Sequence, residues 1–297
     1  MPKQKTVLVA GATGKQGGST ARALLASGHR VRALTRKPKS PASLKLGASG
    51  TAIVVGDFRD PVSLERACSG ADALYAMGTP FEGGTEDEAR QGKALVDAAE
   101  AAGVGHVIYS SVAGADRETG VPHFDSKFEV EQYLAVQRRA YTIVAPAAFM
   151  DFLNPIFLGG LRAGELRMAL PPARPLQYVS VRDVGRFAAA IVDRGEDVFG
   201  QRFEIAGDER TGEETAQVLS RASGRDIRYV AVPPAVLRTH NEDIALMFEW
   251  LDAVGYAADR QALRQAFPEV GWQTLEDWAR EQDWQTALAP AAEGAAH

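Results

Sequence analysis

Residues 6–38, TVLVAGATGKQGGSTARALLASGHRVRALTRKP, carry three glycines at a fixed spacing directly after an apolar run. Gly11, Gly14 and Gly17 form G-x-x-G-x-x-G behind Val7, Leu8, Val9 and Ala10. The apolar run reads as a strand, the glycines as a tight turn, and the residues that follow as a helix. Glycine lets backbone approach a bound group closely and permits positive φ. A helix N-terminus attracts phosphate through its unpaired N–H groups and partial positive charge. The pattern therefore predicts a phosphate cradle at a strand–helix junction, the arrangement that binds dinucleotides. Thr13 adds a hydroxyl and Lys15 a cation, and Gln16 is counted with them as cofactor-binding.

A second strand at residues 29–34 arrives about 20 residues on, where the ribose is read. An acid there pairs with a free 2′-hydroxyl and repels a 2′-phosphate. The sequence has Thr35, Arg36 and Lys37 instead, and Arg binds phosphate through a planar fork of donors. The expected cofactor is NADP(H), preferred over NAD(H).

Strand-like and helix-like runs alternate through the first half: strands at 51–55, 72–77, 106–110 and 141–145, and helices at 61–69, 86–102 and 125–138. Alternation of this kind predicts parallel pairing by right-handed crossovers, and apolar strands such as Ile53-Val54-Val55 suit a sheet covered on both faces. The fold class is α/β, a Rossmann-type doubly wound parallel sheet with helices on both faces. A smaller C-terminal α/β region for substrate or partner is expected beside it. The domains are expected at 1–150 and 151–288, with some later strands returning to the main sheet, and with a disordered Ala-rich tail at 289–297. In the second part the reading places strands at 178–181, 202–206 and 227–232. Helices follow the first of these to residue 193 and occupy 211–223, 233–254 and 274–284.

Composition bounds the function classes. In 297 residues, 45% are hydrophobic and 24% charged, as in an ordinary soluble globular protein. The net charge of −5 argues against direct nucleic-acid binding. One cysteine, Cys68, excludes an internal disulfide and fits a reducing compartment. The apolar run at 7–10 is far too short for a signal segment, and no run approaches a membrane span. A cytoplasmic protein with no membrane partner is expected. His29, His106, His240 and His297 show no metal-ligand spacing, so no metal is expected.

Further candidate residues lie at strand ends. Asp57 and Phe58 close the third strand. The carboxylate can accept from an adenine amino group and the ring can flank it, while Asp60 is the better helix cap by position. Gly78 and Thr79 end the fourth strand, and Ser110 and Ser111 end the fifth; by the strand-end rule these face the cofactor cleft. His123 and Lys127 stand four apart, on one face of a helix.

GATGKQGG, the basic residues after the second strand, GDFRD, YSSVAGAD and PHFDSKFEVEQYL together resemble the NmrA-like family of atypical short-chain dehydrogenases. The likeness runs from Thr6 to about Trp284, and HFDSK resembles the NADPH-sensing branch. By that resemblance Gly11, Thr13, Gly14, Gly17, Arg36, Asp57 and Lys127 carry cofactor binding, and Pro146 to Phe149 lie near the nicotinamide. Short-chain dehydrogenases use Tyr-x-x-x-Lys where this chain has His123 and Lys127. The Lys there binds the nicotinamide ribose and the Tyr moves a proton, and histidine can donate a proton near neutral pH. His123 and Lys127 are therefore the candidate catalytic pair.

Two functions follow. One is an NADPH-dependent reductase of a small apolar or quinone-like compound, its pocket built from Phe149, Met150, Phe152, Phe157, Trp250 and Tyr256. The other is a non-catalytic NADP(H) redox sensor that acts through a regulatory protein partner. Residues 233–254 can serve as a partner or homodimer surface, and core packing explains their apolar residues equally well. Sugar-nucleotide epimerisation shares the glycine turn but normally wants Tyr at position 123.

Overall fold

The computed structural model describes residues 3–137 and 140–289. Position 138, where the sequence reading ends a helix, and the tail expected at 289–297 lie outside the described residues, apart from Ala289. The chain forms two compact units that interleave along the sequence. The first runs to Ala147 and takes in Val181–Ile205 and Ala257–Trp272. The second holds Ala148–Ser180, Ala206–Tyr256 and the described residues from Gln273 to Ala289.

The first unit is built on seven parallel strands. These are β1 (Thr6–Val9), β2 (Arg30–Thr35), β3 (Ala52–Val55), β4 (Ala73–Ala76), β5 (His106–Ser110), β6 (Tyr141–Pro146) and a late strand, Gln201–Ile205. Their order is β3-β2-β1-β4-β5-β6 and then the late strand. Leu8 in β1 stands opposite Arg32 on one side and Leu74 on the other. The first strands are connected by α1 (Lys15–Ala26), α2 (Pro41–Ala48), α3 (Pro61–Cys68), α4 (Pro80–Ala101, broken by a kink at Gly84, φ 83°) and α5 (Pro122–Gln137). All five residues of β5 and all four of β4 are buried, because helices cover both faces of a parallel sheet. Leu8, Leu74, Val107, Leu95, Val96 and Leu134 share one core cluster. The late strand returns to the main sheet, pairing Gln201–Ile205 against Thr142–Pro146.

Helices α4 and α5 approach closely where Gly92 lies against Val130; a Cβ at 92 would sit 2.6 Å from a Val130 methyl. Contacts repeat along the pair, Lys93 with Glu129 at 2.6 Å and Asp97 with the Tyr133 hydroxyl at 2.6 Å. One turn before Gly92 stands Glu88, and one turn before Val130 stand Ser126 and Lys127.

The second unit holds a three-stranded sheet and a two-stranded one. The first orders Asp208–Thr211, Pro175–Val179 and Ala148–Phe149; the second pairs Glu165–Met168 with Arg228–Ala231. The strands at Glu165–Met168 and Asp208–Thr211 are absent from the sequence reading. The single helix expected at 233–254 is two, Pro234–Arg238 and Glu242–Ala253, because Asn241 accepts from the Ile244 N–H and starts the second afresh. The late helix expected at 274–284 stops at Arg280, and Asp283 caps a new one at Trp284–Ala287.

Candidate functional site

The carboxyl ends of β1 to β4 frame a cleft of about 480 Å³, the place where open parallel sheets bind ligands. Gly11 opens the turn after β1 at φ 65°, and a Cβ there would come within 2.8 Å of the Met77 sulfur. A Cβ on Gly17 would overlap the Gly11 carbonyl and lie 2.8 Å from the Ala12 nitrogen. The Gly14 N–H donates to the Gly11 carbonyl at 2.9 Å. Gly14 also caps α1 with no side-chain hydrogen bond. A helix start closed by glycines alone lets an anion reach the backbone. Gly11 and Thr13 line the cleft; Lys15 is the exposed first residue of α1.

Cations gather at the β2 end. Arg36 and Lys37 are exposed and line the cleft, and Arg59 joins them from the loop after β3. The segment after β2 is held by local bonds: the Lys37 N–H donates to Thr35 Oγ1 at 3.0 Å, and Ser43 Oγ to the Lys37 carbonyl at 2.8 Å. Asp57 and Phe58 line the same wall. Asp57 Oδ1 accepts the Arg59 N–H at 2.9 Å, and Asp60 caps α3 by accepting from the Ser63 N–H at 3.2 Å. Gly78 and Thr79 complete the cleft at the β4 end, with Asp87 and Gln91 from α4. A Cβ on Gly78 would sit 3.0 Å from Glu88 Cγ, so the β4 end of the cleft rests directly on Glu88.

Several expected site residues are placed elsewhere. Gln16 turns beneath the glycine turn, donating to Tyr75 Oη at 2.7 Å and Ser110 Oγ at 2.5 Å. Ser111 donates its hydroxyl to Glu131 and is buried. Both side chains serve buried polar partners. Pro146 is buried at the end of β6, its carbonyl accepting from the Ala113 N–H at 2.9 Å. Phe149 belongs to the second unit and is 39% exposed. Met150 and Phe152 are buried, and Phe152 packs on Phe157, Tyr178 and Trp278 in that unit's core.

His123 lies half-buried in the first turn of α5, its ring edge-on to Phe124 at 4.8 Å between centroids. One turn on, Lys127 Nζ donates to Glu88 Oε1 at 2.5 Å, and Ser126 Oγ donates to Glu88 Oε2 at 2.7 Å. Glu88 is fully buried. Neither His123 nor Lys127 is among the walls of the cleft. The tyrosines nearby do not titrate near neutrality. Burial pushes the Tyr75 phenol up, and burial with the charges of Glu88 and Glu131 pushes Tyr109 well up.

A second polar network joins α5 to the late strand Gln201–Ile205. Arg202 Nε donates to Glu131 Oε2 at 2.9 Å, and its other nitrogens reach Glu204 and the Val112 carbonyl at 3.1 Å. Burial raises the Glu131 carboxyl above its ordinary range, against the pull of Arg202. Sequence reasoning missed Arg59, Gln91, Glu88 and Glu131. For Glu88 a signal existed: it shares a helical stripe with Gly92, Leu95, Val96 and Ala99, where an acid needs a partner.

The NmrA-like family matches residues 3–279. The chain belongs to the NmrA-like family. Among its relatives, an NAD(P)H azoreductase of Xenophilus azovorans is 30% identical over 228 residues, 76% of this chain and 77% of that one. A (4-alkanoyl-5-oxo-2,5-dihydrofuran-3-yl)methyl phosphate reductase of Streptomyces griseus is 32% identical over 266 residues, 87% and 86% of the two chains. Among solved structures, the negative transcriptional regulator NmrA in complex with NADP superposes with a TM-score of 0.79 at 26% identity. That match covers 95% of this NmrA-like chain and 99% of the regulator.

Proposed function

We propose that this NmrA-like protein is an NADPH-dependent reductase of a small apolar acceptor, of the quinone or azo type. The observation that carries the reading is the cleft itself. A glycine turn with no room for a side chain at Gly17 meets a β2 terminus that presents Arg36 and Lys37 and no acid. Gly11, Gly14 and Thr13 would hold the pyrophosphate, and Arg36 with Lys37 the 2′-phosphate. Asp57 and Phe58 would meet the adenine. When bound, the nicotinamide supplies a hydride. Beyond that the chain must position the acceptor and hold a proton, and His123 is the donor proposed. Two relatives that act as reductases support the enzyme reading.

The test is NADPH oxidation against a panel of quinones, azo dyes, aldehydes and nitroaromatics, with NADPH and NADH affinities titrated in parallel. Turnover on one class is the expected result. Tight NADPH binding with no turnover across the panel would move the reading to a redox sensor. In the same titration, Arg36→Ala/Lys37→Ala is expected to weaken NADPH by about 30-fold or more, from two charged hydrogen bonds, and NADH by less than threefold. Equal weakening of both would end the NADP assignment.

A further inference from the structure

The cleft has two ends, and its β4 end carries no cation among the described residues of its walls. At the β2 end the cations reach the cleft directly. At the β4 end Gly78 is backbone with no side chain, and the group pressed against it from behind is Glu88. Glu88 is fully buried, and both of its oxygens are taken: Oε1 by the Lys127 ammonium at 2.5 Å and Oε2 by the Ser126 hydroxyl at 2.7 Å. A carboxylate taken wholly out of water is tolerated where its charge and lone pairs are matched. The match here is made by α5, and its position is set where α4 and α5 touch at Gly92 and Val130.

We infer that Glu88, which lies against Gly78, is the positioning residue for the second half of the dinucleotide: it fixes the Lys127 ammonium toward the β4 end of the cleft, where the nicotinamide ribose would lie. The assignment rests on the nucleotide reading proposed above. A dinucleotide laid across this sheet passes the switch point between the β2 side and the β4 side. With its 2′-phosphate at Arg36, its second ribose falls at the β4–β5 end. An ammonium has three donors. Glu88 takes one and thereby aims the others. Ser126 holds the far oxygen of the carboxylate, so that Glu88 cannot rotate away from Lys127. Glu88 touches no cofactor atom itself and acts through Lys127.

The experiment compares two ligands. NADPH spans both ends of the cleft, whereas 2′,5′-ADP carries only the adenine half. Each is titrated against the wild type, Glu88→Gln, Lys127→Met and the double variant, with thermal midpoints recorded. Glu88→Gln is expected to weaken NADPH about tenfold, as for the loss of one charged hydrogen bond, and to leave 2′,5′-ADP within twofold. The double variant is expected to bind NADPH no more weakly than Lys127→Met alone, because one residue acts through the other. Glu88→Asp is the second variant. It keeps the buried charge opposite Lys127 but withdraws it by a methylene, and is expected to show the same split between the two ligands. Wild-type NADPH affinity in both Glu88 variants would overturn the assignment. So would equal weakening of both ligands, which marks a support of the fold, or additivity in the double variant. Failure of 2′,5′-ADP to bind the wild type would instead sink the nucleotide reading, and the assignment with it.

Discussion

Gly17 has no room for a methyl group. Its Cβ would overlap the Gly11 carbonyl, which is backbone and cannot swing aside. Gly17→Ala is expected to cost about 1–3 kcal/mol as overpacking and to lower NADPH affinity, read by thermal midpoint and titration. An unchanged midpoint would show that the turn yields. This constraint was legible in the sequence because a close backbone approach leaves only glycine as an option, at a spacing set by the turn. Glu88 was not read, because its partners Ser126 and Lys127 are 38 and 39 residues away and only packing brings them near. Cys68 illustrates a residue whose setting decides its chemistry. Burial pushes its thiol from 9.0 up to about 11. The folded state therefore favours the protonated thiol, a contribution that is complete below pH 9.0 and lost as the pH rises through about 11. Alkylation by iodoacetamide at about pH 9 is expected to be at least tenfold slower in the native protein than in the urea-unfolded chain. Equal rates would mean the site is open.

At the scale of elements, helix pairing is written in small residues and strand pairing often is not. Gly92 lets α4 and α5 close to contact, and that contact sets the ladder from Glu88–Lys127 to Asp97–Tyr133. Gly92→Val is expected to destabilise by about 2–3 kcal/mol, measured by urea unfolding, and to weaken NADPH by misplacing Lys127. A stable variant with full affinity would separate the crossing from the site. The alternating helices and strands of the first unit could be read because strands such as Val7–Val9 and Ala73–Ala76 are apolar runs flanked by helical patterns. Asp208–Thr211 could not: its residues are Asp, Glu, Arg and Thr, and it is a strand because Pro175–Val179 pairs with it. The break at Asn241 was equally hidden, since an apolar helical face continues on both sides of a cap.

Across the whole molecule, the Glu131–Arg202 pair joins α5 to the last strand of the sheet. Arg202→Met leaves Glu131 buried without a counter-charge, an expected cost of about 3–5 kcal/mol. Burial already holds the Glu131 carboxyl above its ordinary range. A raised carboxyl contributes stability below that range and loses it as the pH rises through the raised value. The Arg202→Met deficit is therefore expected to be larger at about pH 8 than at about pH 5 by urea midpoint; a pH-independent deficit would remove Glu131 from the account. That some later strands return to the main sheet belongs to the sequence reading; which segments interleave was not legible, because that depends on where later segments find their partners. That interleaving has a consequence during synthesis. Strand β6 leaves the ribosome well before Gln201–Ile205, the strand that covers its edge, and a whole segment of the other unit is made in between. A nascent chain thus carries an uncovered sheet edge through the middle of its translation, and the pace of elongation across residues 148–200 sets how long that edge is open to other chains.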